Sequence, residues 1–336
     1  MRRLLHPKII LPLLLSASLL AALLAFADVK KVVALMTAFD KLYLLYFLLL
    51  MAAYTAVRGA QWHELLAALE IDAPLRSQMF AFLVGEVTKS IPIGNYVQNY
   101  ILQQARGTDF GRSSAATTLI VLIEVAVALS GVVILGLGDW TGWLRPLIVG
   151  GAAATLLLVW AYRRFGRHAA RTPRWLREHA TVRRALAEVR QFRAGAAALF
   201  HPRILVVALL LGAVYVTIAG AALYLIVRGL GIGGVSFWQV LAVSYFSLGF
   251  SLIVPIPLDI GVVEISAVGA FLAVGVSKTD AVGAVLINRA LSIGTALVSA
   301  LIGTAILRDE VRAALQGRGR APGTAADAPD AEAPTG

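Results

Sequence analysis

Glu86, Lys89, Glu124, Asp259, Glu264 and Arg289 stand inside stretches that are otherwise strongly apolar. A charged group in hydrocarbon costs roughly 2.5–3.5 kcal/mol on insertion scales, so such residues face a protein interior, pair with one another, or line a wet cavity. Glu86 and Lys89 are neighbours on one helix face, at i and i+3. Asn95, Gln98, Asn99 and Gln103 recur at i, i+3, i+4 and i+8, which makes one polar stripe on an apolar helix. Asn288 adjoins Arg289. These groups can hold a polar or charged ligand, or simply glue helices together, and spacing alone leaves both readings open. Bond-making chemistry has less support, because no Ser/His dyad, His-Glu-x-x-His helix or Asp-rich metal motif is written in the chain. His63-Glu64 is a lone pair with no second histidine near it. The expectation is a protein that is not an enzyme, with no cofactor and no metal.

The elements that position these residues are broken helices. Pro255 and Pro257 precede Asp259, Gly261 and Glu264, and a helix cannot run through two prolines unbroken. Pro92 and Gly94 interrupt the earlier segment in the same way. Broken backbone at membrane depth is tolerated only where protein or a water-filled cavity covers it, and transporters use pairs of half-helices for this purpose. The competing reading is a pair of solvated loops at the membrane surface.

Composition supports the membrane setting. Of 336 residues, 59% are hydrophobic, the mean hydropathy is +0.80, and there is no cysteine. Several apolar runs reach the about 20 residues needed to cross a bilayer. The net charge of +11 is concentrated in one internal stretch and at the chain ends, which reports orientation before it reports nucleic-acid binding. Residues 163–203 hold eleven arginines against Glu178 and Glu188, and read as a cytoplasmic connector on the membrane surface.

In order, the chain reads as a first span from Ile9 to Ala27, favoured as uncleaved although Ala25-Phe-Ala27 resembles a signal-peptidase site. A second span runs from Leu42 to Val57 and reaches the cytoplasm at Arg58. Gln61 to Glu70 then lies along the interface, anchored by Trp62. The first broken pair follows from Leu75 to Gln104. Further spans cover 113–137, 144–162, 204–227 and 279–307, with Trp140 and Trp143, then Phe237 and Trp238, at the outer interface. The second broken pair ends in a half-helix over 262–276, and a disordered tail begins at Gln316.

The expected fold is all-α: a polytopic integral membrane protein with six full spans, two re-entrant broken-helix pairs and both termini cytoplasmic. Its parts are a first membrane repeat over 1–162, the basic connector over 163–203, a second membrane repeat over 204–308 and a tail over 309–336. Glu124 follows Pro92 at the same interval at which Arg289 follows Pro257. Two units of opposite orientation with matched spacing suggest an inverted repeat, which places a binding site at the repeat interface.

Val254-Pro-Ile-Pro-Leu-Asp-Ile-Gly-Val-Val-Glu264, followed by Val274-Gly-Val-Ser277 and Arg289, resembles the P-G-G-(L/I)-G-V-V-E region of the lysylphosphatidylglycerol synthase family, in its flippase-like transmembrane domain. Pro92-Ile-Gly-Asn-Tyr-Val97 and Glu124 resemble that family's first motif, usually P-x-R-x-G-E followed by E-R. The likeness extends to about residue 308. Leu258 and Asp259 replace the paired glycines, and Val125 stands where E-R has its arginine, so the charge lining the cavity differs from the family pattern. No stretch outside the apolar runs is long enough for the aminoacyl-transfer domain of two-domain members. The resemblance therefore implies translocation of a phospholipid or lipid-linked headgroup in a bacterial inner membrane, without aminoacylation. Glu86, Lys89, Pro92, Gly94, Asn95, Gln98, Asn99 and Glu124 are expected on one wall of the substrate site. Pro255, Pro257, Asp259, Gly261, Glu264, Asn288 and Arg289 are expected on the other, with Asp259 and Glu264 each able to pair with Arg289. No nucleotide-binding Gly-rich loop is present, so energy would come from a gradient or from the lipid distribution. The alternative is a scaffold for a glycosyltransferase or another lipid-modifying enzyme. Such an enzyme or a second copy of the chain is an allowed partner, and nucleic acid is not expected.

Overall fold

The computed structural model describes residues 39–89, 94–135, 180–253 and 261–307, together with the single positions 34, 37 and 309. Expectations for the first span, Pro92, Trp140 and Trp143, the span over 144–162, the first part of the basic connector, Pro255, Pro257, Asp259 and the tail lie outside the described residues. Among the described residues every regular element is helical.

Helix α1 runs Lys41–Ala68, α2 Leu75–Thr88, and a 3₁₀ turn at Gly94–Tyr96 leads into α3, Val97–Arg106. Then come α4 Phe110–Leu135, α5 Ala180–Leu199, α6 Pro202–Gly229, α7 Phe237–Ile253, α8 Val262–Ala273 and α9 Lys278–Ile306. Local chemistry sets several ends. Asp40 caps α1 by accepting the Leu42 N–H at 2.9 Å, and Ser277 caps α9 through the Asp280 N–H. Pro202 opens α6, where its missing N–H costs nothing. Gly107 closes α3 with a positive φ, in the left-handed region.

Helices α1, α4, α6 and α9 are long and apolar enough to cross a membrane. Their outward faces carry bare apolar side chains, including Leu45 and Leu49 on α1, Leu209 and Leu210 on α6, and Leu301 and Ile306 on α9. Such rows suit hydrocarbon rather than water. α4 is the most enclosed of the four.

The long helices pack by exchanging partners. α1 lies along α6, α2 packs on α9, and α7 packs on α4, while α8 folds back on α7 and meets α9. Close crossings rely on glycine. A Cβ on Gly131 of α4 would run into the Tyr245 ring of α7, and one on Gly220 of α6 would run into Leu241.

Two expectations for the second span are overturned. α1 does not end at Arg58 but continues to Ala68, and Arg58 is buried. The segment from Gln61 is therefore no interfacial strip: Gln61 and Trp62 are buried, with Trp62 stacked on Phe82 at 6.1 Å. The physical reason is that no proline interrupts the chain between Asp40 and Pro74, so the apolar helix carries its arginine inward. The basic stretch from residue 180 is likewise a packed helix, α5, lying against α4. Glu188 of α5 accepts the Gly111 N–H at 2.6 Å, which satisfies an orphan donor in the first turn of α4.

Candidate functional site

Arg58 is the centre of a buried polar cluster drawn from four helices. Its Nη1 donates to Glu86 Oε1 on α2, and its Nη2 stands 3.0 Å from Glu124 Oε1 on α4. Nη1 also lies 3.3 Å from the Tyr54 hydroxyl, one turn back on α1. Tyr215 on α6 donates its hydroxyl to Glu124 Oε1 at 3.0 Å. Lys89, just past the end of α2, reaches Glu86 Oε2 at 2.8 Å and the Tyr54 hydroxyl at 3.1 Å. The rings of Tyr54 and Tyr215 meet edge to face at 5.6 Å, and the Arg58 guanidinium lies about as far from each ring centre, 6.0 and 5.7 Å. A planar guanidinium with five donors can serve two carboxylates at once, which an ammonium cannot match.

A second ion pair lies across the interior. Glu264 Oε1 stands 3.1 Å from Arg289 Nε, the partnership expected for that residue. The other oxygen, Oε2, accepts the Gly261 N–H at 2.5 Å and caps the start of α8. Gly261 has φ +96°, a conformation that a side chain would resist, so glycine there lets the chain turn directly into the half-helix.

Between the two lies a cavity of about 300 Å³. Its wall includes Tyr54, Arg58, Glu86, Lys89, Asn95 and Glu124 on one side, and Ser251, Asn288, Arg289 and Ser292 on the other. A second cavity of about 190 Å³ shares Tyr54, Glu124, Asn288 and Arg289 with it and adds Tyr215 and Glu264. They share much of their wall and form one chamber of mixed polar and apolar lining, walled by α1, α2, α4, α6, α7, α8 and α9.

The structure thus brings Glu86, Lys89, Asn95, Glu124, Glu264, Asn288 and Arg289 around one space. Gln98 and Asn99 sit elsewhere: both hydrogen-bond Thr117 of α4, at 3.0 and 2.9 Å, and the Thr117 hydroxyl donates back to Asn99. Gln98 reaches only a recess of about 10 Å³ beside the cluster. Gln103, at the end of the stripe, is half-buried. Gly94 is structural: a Cβ there would overlap the Thr88 carbonyl oxygen, so the chain can pass that close to the end of α2 only without a side chain. The Thr88 hydroxyl lies within hydrogen-bonding distance of the carbonyls of Gly85, at 2.9 Å, and Gly94, at 3.1 Å, and shares its one proton between the two arms.

Sequence reasoning missed Arg58, Tyr54 and Tyr215. The available signal was the unbroken run around Arg58, which places an arginine at i+4 from a tyrosine on one face of a single helix. Tyr215 carried no comparable signal. Glu124 pairs with an arginine from another helix, Arg58 of α1.

No curated protein matches the chain. A family model described as the lysylphosphatidylglycerol synthase TM region matches residues 9–300. That match covers most of the chain, and it agrees with the motifs around Pro92 and Glu264. The protein belongs to the lysylphosphatidylglycerol synthase TM-region family.

Proposed function

We propose that the protein is a lipid translocase, which passes the headgroup of a phospholipid or lipid-linked molecule through the chamber while the acyl chains stay in the bilayer. The observation that carries this reading is the chamber itself. A charged cavity of about 300 Å³ lies among helices whose outer faces are bare apolar rows. A solely structural network would have no need of space beside it.

The exchange of packing partners supports an inverted repeat in this reading. α2, which precedes the first break, packs on α9, the last span; α7, which precedes the second, packs on α4. Swapping the two units maps one contact onto the other. In this reading the chain has six full spans and two re-entrant pairs, and both termini face the cytoplasm of a bacterial inner membrane. The protein moves its substrate and makes no bond.

The test is reconstitution of the purified chain into vesicles with fluorescent lipids, followed by quenching of the outer leaflet. Loss of inner-leaflet label at a rate that depends on the headgroup is the expected result. Vesicles in which no bacterial lipid class equilibrates faster than in protein-free controls would overturn the proposal. A lipid-modifying enzyme co-purifying in fixed ratio with such an inactive protein would point to the scaffold role instead.

A further inference from the structure

Among the described residues the charges around the chamber balance: Arg58, Lys89 and Arg289 against Glu86, Glu124 and Glu264. Accessibility separates the two signs. The side chains of Glu86, Glu124 and Glu264 are 9%, 11% and 2% exposed, whereas those of Lys89 and Arg289 are 35% and 25% exposed. Both oxygens of Glu86 accept hydrogen bonds, from Arg58 and Lys89, while Glu264 Oε2 accepts the Gly261 N–H and Oε1 lies at ion-pair distance, 3.1 Å, from Arg289 Nε. Glu86 is paired with Lys89 and Glu264 with Arg289, and in each pair the cation is the more exposed partner.

We propose that Lys89 and Arg289 form a two-pronged clamp for the phosphate of a lipid headgroup, an inference that rests on the translocase reading. The prongs come from the end of α2 and the middle of α9, two helices that pack together, and both line the same cavity. An ammonium has three donors, and Lys89 has committed two, to Glu86 and to the Tyr54 hydroxyl. A guanidinium matches the oxygens of a phosphate better than an ammonium does. The amides of Asn95 and Asn288 and the hydroxyl of Ser292 lie on the same wall as neutral donors. The Glu86 and Glu264 pairings then hold the prongs in place, each cation anchored by an acid.

The test measures binding by the full-length protein in detergent, with dihexanoyl phosphatidylglycerol, dihexanoyl glycerol and inorganic phosphate as probes. Phosphatidylglycerol is expected to bind at least tenfold more tightly than the phosphate-free dihexanoyl glycerol. Lys89→Gln is expected to weaken phosphatidylglycerol about tenfold, the size of one lost hydrogen bond between charged partners, and to leave dihexanoyl glycerol unchanged. Lys89→Arg, which keeps the charge, should retain most of the affinity. Equal binding of the two lipids, or phosphatidylglycerol binding untouched in Lys89→Gln, overturns the clamp. Inorganic phosphate that binds as tightly as phosphatidylglycerol, with the same dependence on Lys89, overturns the lipid assignment in favour of a free anion. Scrambling in vesicles separates this inference from the one beneath it. Transport of phosphate lipids that Lys89→Gln does not slow removes the clamp and leaves the translocase. Tight binding through Lys89 with no scrambling leaves the clamp and removes the translocase.

Discussion

The two ion-pair sites facing the chamber are built differently. The Arg58 site joins four charges and two tyrosines from α1, α2, α4 and α6, and its arginine side chain is only 7% exposed. Among the described residues the Glu264–Arg289 site joins two charges from the adjacent helices α8 and α9, and a quarter of its arginine is exposed. One cation holds two acids in the first, and one acid holds a cation and a helix start in the second. The first therefore fixes how distant helices meet, and the second fixes how one half-helix begins. If that contrast is right, the two should fail differently when cut.

The sharpest break is Arg58→Ala. It takes the arginine from both Glu86 and Glu124 and leaves Glu86 with Lys89, and removing one partner of a buried ion pair costs about 3–5 kcal/mol. Unfolding in detergent, followed by heat or SDS titration, should show a loss of that size. Arg58→Lys should recover only part of it, because one ammonium lacks the fork that spans both carboxylates. A variant with Arg58→Ala as stable as the parent would mean that the cluster carries no structural weight, and the contrast between the sites would vanish.

Glu264→Ala should cost less, about 2 kcal/mol, because Arg289 can turn toward the open chamber and find water, while α8 loses a cap worth about 1 kcal/mol. Glu264→Gln keeps an acceptor for the Gly261 N–H and should restore the cap but not the ion pair. The same unfolding titration applies. If Glu264→Ala proved as damaging as Arg58→Ala, the second site would have to be a core junction as well.

The same contrast explains what could be read without coordinates. Glu264 and Arg289 lie on consecutive apolar elements after a proline break, so their pairing followed from the cost of leaving either charge alone. Glu124 in the middle of a span had to face inward for the same reason, and it does. Arg58 was hidden by a rule that is sound on average: an arginine after an apolar run marks the cytoplasmic edge. Here the run continues beyond it, and the partners lie far along the chain, on α2 and α4. The polar stripe was visible as a stripe, but periodicity cannot say what it faces. Its central amides turned out to face Thr117, two turns before Glu124 on the same helix. Span positions for α4, α6 and α9 were legible to within a turn because apolar length fixes them.

Asn99→Ala sharpens the contrast from a third position, one that holds helices together away from the chamber. Asn99 is fully buried and exchanges two hydrogen bonds with Thr117. Its loss should cost about 1 kcal/mol, near the upper end for polar contacts between membrane helices. Because Gln98 also reaches Thr117, the hydroxyl keeps one partner. Lowered stability with unchanged lipid scrambling is the expected pair of readings. A change in headgroup preference without a change in stability would move the stripe from packing to recognition.

The smallest effect on stability belongs to Lys89→Gln. Lys89 pairs with Glu86 at 2.8 Å, but its side chain is 35% exposed, and Glu86 keeps Arg58 when it goes. Partly exposed ion pairs contribute about 0–1 kcal/mol, so the unfolding midpoint should hardly move. Arg58 and Lys89 thus touch the same carboxylate from opposite sides and should lie at opposite ends of the stability series. A residue that adds little to folding, yet lines the chamber with its charge, suits a role in the chamber rather than in the framework. A loss as large as that of Arg58→Ala would show instead that Glu86 needs both cations to stay buried, and Lys89 would then belong to the framework and not to the chamber's working face.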